Sequence, residues 1–113
     1  MKPIRFLRVA LAVLAFAVAG TAASADPQTF TIVAKDGGFE PATLEVPAGQ
    51  RFKLEVRNES AAAIEFESKD LKQEKVIRAK GSATLSIAPL KAGTYRFVDE
   101  YKEATAKGQI VAK

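Results

Sequence analysis

A strict alternation of apolar and charged residues between Arg51 and Asn58 is the feature that most limits how this chain can fold. Phe52, Leu54 and Val56 lie on one side of an extended segment. The residues on the other side are Arg51, Lys53, Glu55 and Arg57. Because successive side chains of a β-strand point to opposite faces, this pattern predicts a strand with one face in a core and one face in water.

Similar short segments recur along the chain and are separated by turn signals. The predicted strands are Thr29–Lys35, Thr43–Val46, Arg51–Asn58, Ala62–Ser68, a brief extended piece at Val76–Ile77, a strand around Leu85 and Ile87, Tyr95–Val98 and Gly108–Lys113. Turns are predicted at Asp36–Gly38, Pro47–Gly49, Lys80–Gly81 and Lys91–Gly93. This spacing predicts an all-β fold, an antiparallel Greek-key β-sandwich of about seven to eight strands.

Two polar segments interrupt the strand pattern. Lys69–Lys75 is predicted to be a connection or a turn of helix. Glu100–Lys107 is predicted to form a short helix of about two turns, or a loop, before the last strand.

The first 25 residues have the pattern of a cleaved secretory signal peptide. A basic start is followed by the uncharged run Val9–Gly20 and by small residues at Ala23 and Ala25. The apolar run is too short for a membrane span, which needs roughly 20 residues. The sequence therefore predicts a signal at 1–25, one domain at 26–113, export to the periplasm, and no membrane insertion of the mature chain.

Removal of that segment also removes the evidence for a basic protein. The whole chain has 17 Lys and Arg residues against 13 acids, but Lys2, Arg5 and Arg8 lie in the signal and every acid follows it. The remaining chain is close to neutral, so its charge gives no reason to expect nucleic acid as a partner.

The chain contains no histidine and no cysteine, and its one methionine is Met1. Nucleophilic catalysis by Ser-His-Asp or Cys-His groups is therefore impossible, as are zinc sites built from Cys and His. Carboxylate, phenol, hydroxyl and backbone oxygens remain, and these are ligands for hard metal ions.

Acidic residues are concentrated in two places. Asp99, Glu100 and Glu103 follow the strand Tyr95–Val98, and Glu65 and Glu67 alternate along an earlier strand. Asp99 shares the predicted inward face of Tyr95 and Phe97, where an unpaired carboxylate needs a cation or several donors. We predict a metal site led by Asp99, with Glu100, Glu103, Glu65 and Glu67 as contributors.

Each of these acids also has a purely structural interpretation. Asp99 can cap the short helix that begins at Glu100, which does not exclude metal binding. Glu65 and Glu67 can be the solvated face of a strand, and they can join Asp99 only if the strand end is exposed at the pole of the sandwich. Asp70 and Glu74 are interpreted as surface charges, and Tyr101 as packing at the rim.

Several motifs resemble those of the cupredoxin-like domains of bacterial periplasmic metal proteins. The resemblance covers about Thr29 to Val111, and its most specific parts are Phe39-x-Pro41, Val46–Gly49, Asn58 and Gly93-x-Tyr95-x-Phe97. It implies that the copper ligands of the family would fall on Ile64, Asp99, about Lys102 and about Ala106. None of these is a histidine, cysteine or methionine, so a blue-copper site is not expected and copper could bind only at a site of another type.

Two segments, Ile64–Ile77 and Phe97–Gly108, resemble a narrower branch of that family. This branch includes the cupredoxin-like component of Ftr-type ferrous-iron transporters and the cupredoxin domain of EfeO-type proteins. The resemblance implies a periplasmic protein that binds iron through carboxylates, assists the oxidation of ferrous iron, and passes the iron to a membrane permease or another uptake component.

Two other functions remain as alternatives. The first is a metal-free module that docks on a periplasmic partner through its acids. The second, an independent enzyme, is not expected, because the catalytic repertoire is too small; at most the protein would have a ferroxidase-like accessory role. The sequence leaves the oligomeric state open.

Overall fold

The structure is a computed structural model that describes residues 26–113. Nine strands form in this range: β1 Gln28–Lys35, β2 Gly38–Glu40, β3 Thr43–Val46, β4 Phe52–Asn58, β5 Ile64–Ser68, β6 Gln73–Ile77, β7 Ser82–Ile87, β8 Gly93–Asp99 and β9 Lys107–Ala112. A 3-10 helix, Glu100–Lys102, lies between β8 and β9. The all-β prediction is confirmed.

The strands form two sheets that enclose one core. The first sheet has the order β2-β1-β4-β7, and the second has the order β3-β9-β8-β5-β6. The alternation that predicted β4 is realised, since Phe52, Leu54 and Val56 are all buried. Phe39, Phe66 and Phe97 meet between the sheets, with the Phe97 ring centre 5.0 Å from that of Phe39 and 5.2 Å from that of Phe66. This aromatic group fixes the spacing of the two sheets.

The sheets are mixed, whereas an antiparallel sandwich was predicted. β1 runs parallel to β4, and β3 runs parallel to β9, while the other pairs are antiparallel. Parallel neighbours need a crossover connection, and the chain provides one by passing from β1 and β2 in the first sheet to β3 in the second before it returns to β4.

Lys69–Lys75 is neither a simple connection nor a helix. Gln73 already begins β6, which pairs with β5 across a hairpin loop in which Lys72 has a φ of 59°. The loop is held by Ser68, whose hydroxyl accepts the Leu71 N–H at 3.0 Å and donates to the Arg96 carbonyl at 2.6 Å. Because these contacts reverse the chain within Lys69–Lys72, the polar residues Gln73–Lys75 become the first part of the edge strand β6.

The helix predicted at Glu100–Lys107 is reduced to the single 3-10 turn. The Ala106 N–H donates to the Lys102 carbonyl at 2.8 Å, and Ala106 itself is buried. Burial of Ala106 draws the chain back to the core, and β9 begins at Lys107 instead of a second helical turn.

No helix within residues 26–113 is long and apolar enough to cross a membrane. The predicted signal peptide, residues 1–25, lies outside the described residues and stays a prediction.

Candidate functional site

Three glutamates converge on the outer face of the second sheet. Glu65 lies on β5, Glu74 on β6, and Glu100 on the 3-10 helix, and each contributes a carboxylate oxygen to a group whose members all lie within 4.8 Å of one another. We call these three residues the carboxylate cluster. Oxygen atoms at this separation can share one hard cation.

The strand register explains why the cluster forms. Ile64, Phe66 and Ser68 of β5 are buried, so Glu65 and Glu67 point outward. In the β5–β6 pair, Glu67 lies directly opposite Glu74. Like charges in directly opposed positions disfavour strand pairing, so the opposition of Glu67 and Glu74 is a cost that the rest of the fold has to offset.

Glu65 shows the effect of this crowding most clearly. Its pKa is raised from 4.5 to about 7, first by a hydrogen bond with Glu74, then by partial burial, and then by a hydrogen bond with Glu100 and by the charges of both neighbours. The pKa of Glu67 is also raised, by partial burial and then by a hydrogen bond with Glu100. Neighbouring carboxylates and partial burial thus both favour the protonated forms of Glu65 and Glu67.

We expect the folded protein to lose stability as the pH rises. A carboxyl whose pKa is higher in the folded state binds its proton more tightly there, so the contribution of Glu65 is complete below about pH 4.5 and is lost as the pH approaches about 7. Urea unfolding at pH 5 and pH 8 should show this fall in wild type and a smaller fall in Glu65→Gln. Glu59→Gln is the control, because Glu59 lies in an exposed pair with Arg57. An equal fall in Glu65→Gln and wild type would contradict this prediction.

Asp99 lies next to the carboxylate cluster but is not one of the three converging groups. It is 2% exposed, and its Oδ1 accepts hydrogen bonds from the backbone N–H groups of Glu65 and Tyr101, each at 3.0 Å. The capping interpretation is thus realised, and the donors that a buried carboxylate needs include these two backbone groups. Its predicted role as a metal ligand stays a prediction.

Glu103 lies apart from the cluster, on an adjoining groove. The groove has a volume of about 230 Å³ and is lined by Glu67, Lys69, Asp70, Arg96, Phe97, Val98 and Glu103. Asp70 accepts the Arg96 backbone N–H at 2.8 Å and its Nε–H at 3.3 Å, which lowers the Asp70 pKa. The Asp70 carboxylate therefore connects the β5–β6 loop to β8 through two hydrogen bonds. Its interpretation as a surface charge alone is incomplete.

Glu74 is the member of the cluster that sequence reasoning missed, since it was interpreted as a surface charge. The sequence does contain a pattern that places Glu74 in the cluster. If Lys69–Lys72 is read as a hairpin loop, Ser68 pairs with Gln73 and Glu67 pairs with Glu74. The alternation of β5 then continues onto β6 and places Glu74 on the acidic face.

Comparison with known proteins gives a consistent result. A family profile described as the cupredoxin-like domain matches residues 8–112. An uncharacterized protein of Rickettsia prowazekii, RP394, is 36% identical over 80 residues, which cover 71% of this chain and 64% of that protein. The chain thus spans less than two thirds of the length of this relative.

Two solved structures share the fold at low sequence identity. Auracyanin A of Chloroflexus aurantiacus, a blue copper protein, superposes with a TM-score of 0.62 and 17% identity over 78% of this chain and 100% of that one. The metal-binding domain of the Cu(I)-exporting P-type ATPase of Streptococcus pneumoniae gives 0.63 and 17% over 81% and 91%. At this identity the likeness shows the fold alone.

The residues of this chain do not fit a blue-copper centre. Of the four positions that the resemblance assigns to copper ligands, Ile64 and Ala106 are buried apolar side chains, and Asp99 is hydrogen-bonded to backbone. The fourth, Lys102, carries a cationic side chain. The imidazole and thiolate donors of such a centre are absent from the whole sequence.

Proposed function

The chain belongs to the family of cupredoxin-like domains, and from this premise we propose that it is an exported member that binds iron as its cargo through the carboxylate cluster. The observation that carries the proposal is the convergence of Glu65, Glu74 and Glu100 within 4.8 Å. Carboxylate oxygens are hard donors of the kind that suits manganese and other hard cations. Ferric iron is a harder cation than ferrous iron, so such donors hold it more tightly.

Two further features support a role in iron uptake. The segments that resemble the iron-uptake branch, Ile64–Ile77 and Phe97–Gly108, contain all three cluster residues. Glu67 contacts Glu100 and lies with Glu103 on the adjoining groove, so additional carboxylates lie beside the cluster. In this proposal the protein binds iron in the periplasm and passes it to a membrane permease or another uptake component.

The donor set bears on the oxidation state of the bound iron. Ligands that bind ferric iron more tightly make the oxidation of bound ferrous iron more favourable. That oxidation would release one electron, for which this chain supplies no acceptor, so the proposed function is limited to binding the iron and passing it on. The residues supply the binding preference and not the redox partner.

We expect metal-free protein to bind ferrous iron saturably under anaerobic conditions, and the triple variant with Gln at Glu65, Glu74 and Glu100 to lose that binding. Gln keeps the size of each side chain and removes the charge that attracts the cation. Isothermal titration calorimetry with ferrous iron, ferric chelate, Mn²⁺ and Cu²⁺ measures the affinity and the preference.

The matched control is a triple variant with Gln at Glu40, Glu45 and Glu59. It removes the same amount of charge from three acids that lie in exposed ion pairs elsewhere on the fold. Absence of saturable iron binding in wild type, or equal binding by both triple variants, would contradict the proposal.

A second candidate function is a metal-free docking module. Val76 and Tyr101, 54% and 56% exposed, are the large apolar residues most open to solvent within residues 26–113. Val76 pairs with Glu65, and Tyr101 follows Glu100, so both border the carboxylate cluster. Such a surface suits a partner with a basic rim. Capture of a periplasmic partner that depends on Glu100 and Glu103 but is insensitive to chelators would favour this function over metal binding.

A further inference from the structure

Asp99 connects the two backbone segments that carry most of the carboxylate cluster. One of the N–H groups bound by its Oδ1 belongs to Glu65, and the other belongs to Tyr101, the residue after Glu100. Both hydrogen bonds are 3.0 Å long and end on the same oxygen atom. The start of β5 and the start of the 3-10 helix are therefore held at a fixed separation.

The backbone pairing between β5 and β8 does not extend to Glu65. β5 and β8 pair only at Phe66 with Asp99 and at Glu67 with Val98. The ladder thus stops one residue short of Glu65, and the Asp99 carboxylate provides the next contact in place of a backbone carbonyl. The two hydrogen bonds, each 3.0 Å, have ordinary N–H···O lengths and satisfy both backbone donors.

The same residue also fixes the return of the chain to β9. The Asp99 backbone N–H donates to the Ala106 carbonyl at 2.9 Å. Asp99 therefore joins β5, the 3-10 helix and the segment before β9 through three hydrogen bonds, while its side chain is buried. Its side chain shares the inward register of Phe97, whereas Glu65 and Glu67 lie on the outward register of β5.

We propose that Asp99 is a positioning residue: it sets the separation of Glu65 and Glu100 from behind the sheet and does not itself coordinate the cation. This inference rests on the proposed function for its metal-binding readout. Groups that hold ligands in place from an outer shell typically change metal affinity by 10–100-fold when they are removed.

A positioning residue and a metal ligand are expected to respond differently to the substitution Asp99→Asn. Asp99→Asn keeps an Oδ1 acceptor for both N–H groups but removes the charge that a ligand would contribute. For a positioning residue, we expect Asp99→Asn to bind ferrous iron with nearly wild-type affinity and Asp99→Ala to bind at least about tenfold more weakly. Loss of affinity in Asp99→Asn as large as in Asp99→Ala would overturn the inference and make Asp99 a ligand.

Asp70 provides a matched control on the same sheet. Its carboxylate also accepts a backbone N–H, from Arg96 at 2.8 Å, but it is not part of the carboxylate cluster. Asp70→Ala should leave the affinity for ferrous iron close to wild type. A weakening equal to that of Asp99→Ala would show that any lost backbone contact has the same effect, and the inference would fall.

A metal-free measurement separates this inference from the proposed function. Amide hydrogen exchange followed by NMR should show protected N–H groups at Glu65 and Tyr101 in wild type and Asp99→Asn, and loss of both protections in Asp99→Ala. If wild type binds no iron, the proposed function fails, and this exchange pattern alone supports the positioning role. Unprotected amides in wild type would overturn it. If Asp99→Ala does not fold, the affinity and exchange of Asp99→Asn relative to wild type decide the matter.

Discussion

Replacement of Asn58 by Ala is expected to lower the free energy of unfolding by about 3–5 kcal/mol, because several buried polar groups would lose their partner at once. The Asn58 side chain is 1% exposed. Its Nδ2 group lies 2.9, 3.0 and 3.1 Å from the carbonyl oxygens of Ala62, Ile77 and Arg78. Its Oδ1 accepts the Ser60 N–H at 2.9 Å and the Ser60 hydroxyl at 2.6 Å. Asn58 thus connects the end of β4 in one sheet to the end of β6 in the other.

Equilibrium urea unfolding followed by circular dichroism measures this loss. Ser60→Ala is the matched control, since it removes one hydroxyl from the same network and should cost only about 1 kcal/mol. A loss for Asn58→Ala no larger than that of Ser60→Ala would show that water satisfies the exposed carbonyls, and the prediction would be wrong.

Phe97→Ala is expected to cost a similar amount, about 3–5 kcal/mol, through the cavity that it leaves. The Phe97 side chain is 1% exposed and lies edge-on to Phe39. It also fills the space above Gly108, where a methyl group on the Cα atom would come within 2.6 Å of both the ring and the Ala42 carbonyl oxygen. The neighbours are backbone and a second sheet, so they cannot collapse fully into the space left by the ring.

A double-mutant cycle tests the geometry of this prediction. Gly108→Ala alone should be destabilising, because its methyl group meets Phe97 and the Ala42 carbonyl at short distance. In the Phe97→Ala background the contact with the ring disappears, so the cost of Gly108→Ala should be smaller. Phe30→Ala is the comparison for a partly buried ring and should cost less than Phe97→Ala. Strict additivity of Phe97→Ala and Gly108→Ala would contradict this packing.

Much of the sandwich could be predicted because burial on one face leaves a period of two in the sequence. β4 and β3 were predicted within one residue of their observed bounds. β2 was missed because Gly38–Glu40 is only three residues long and directly follows a turn signal. β6 was assigned mostly to a polar connection, because an edge strand buries little and its pattern Gln73–Ile77 has one buried residue. The parallel pairs depend on the path between sheets, which no local pattern records.

The candidate site was predicted in part, for a related reason. The inward position of Asp99 and its capping contact follow from its register with Phe97 and its place before Glu100. Glu65 and Glu100 were both proposed as ligands, but the partner that brings them together, Glu74, lies on the part of β6 that was assigned to a polar connection. Convergence across strands requires the register of each pair, and the register here depends on a loop residue, Lys72, in a left-handed conformation.

The position of β9 has a consequence for how the chain reaches its final form. β9 lies between β3 and β8, and within residues 26–113 it is the only neighbour of β3 in the second sheet. β3, which begins at Thr43, can therefore pair only with a strand that begins at Lys107, far along the chain. The second sheet cannot be completed before the residues from Lys107 onward are available, and closure through such distant pairing is slow. Until β9 inserts, the edge of β8 that faces β3 has no backbone partner in the second sheet.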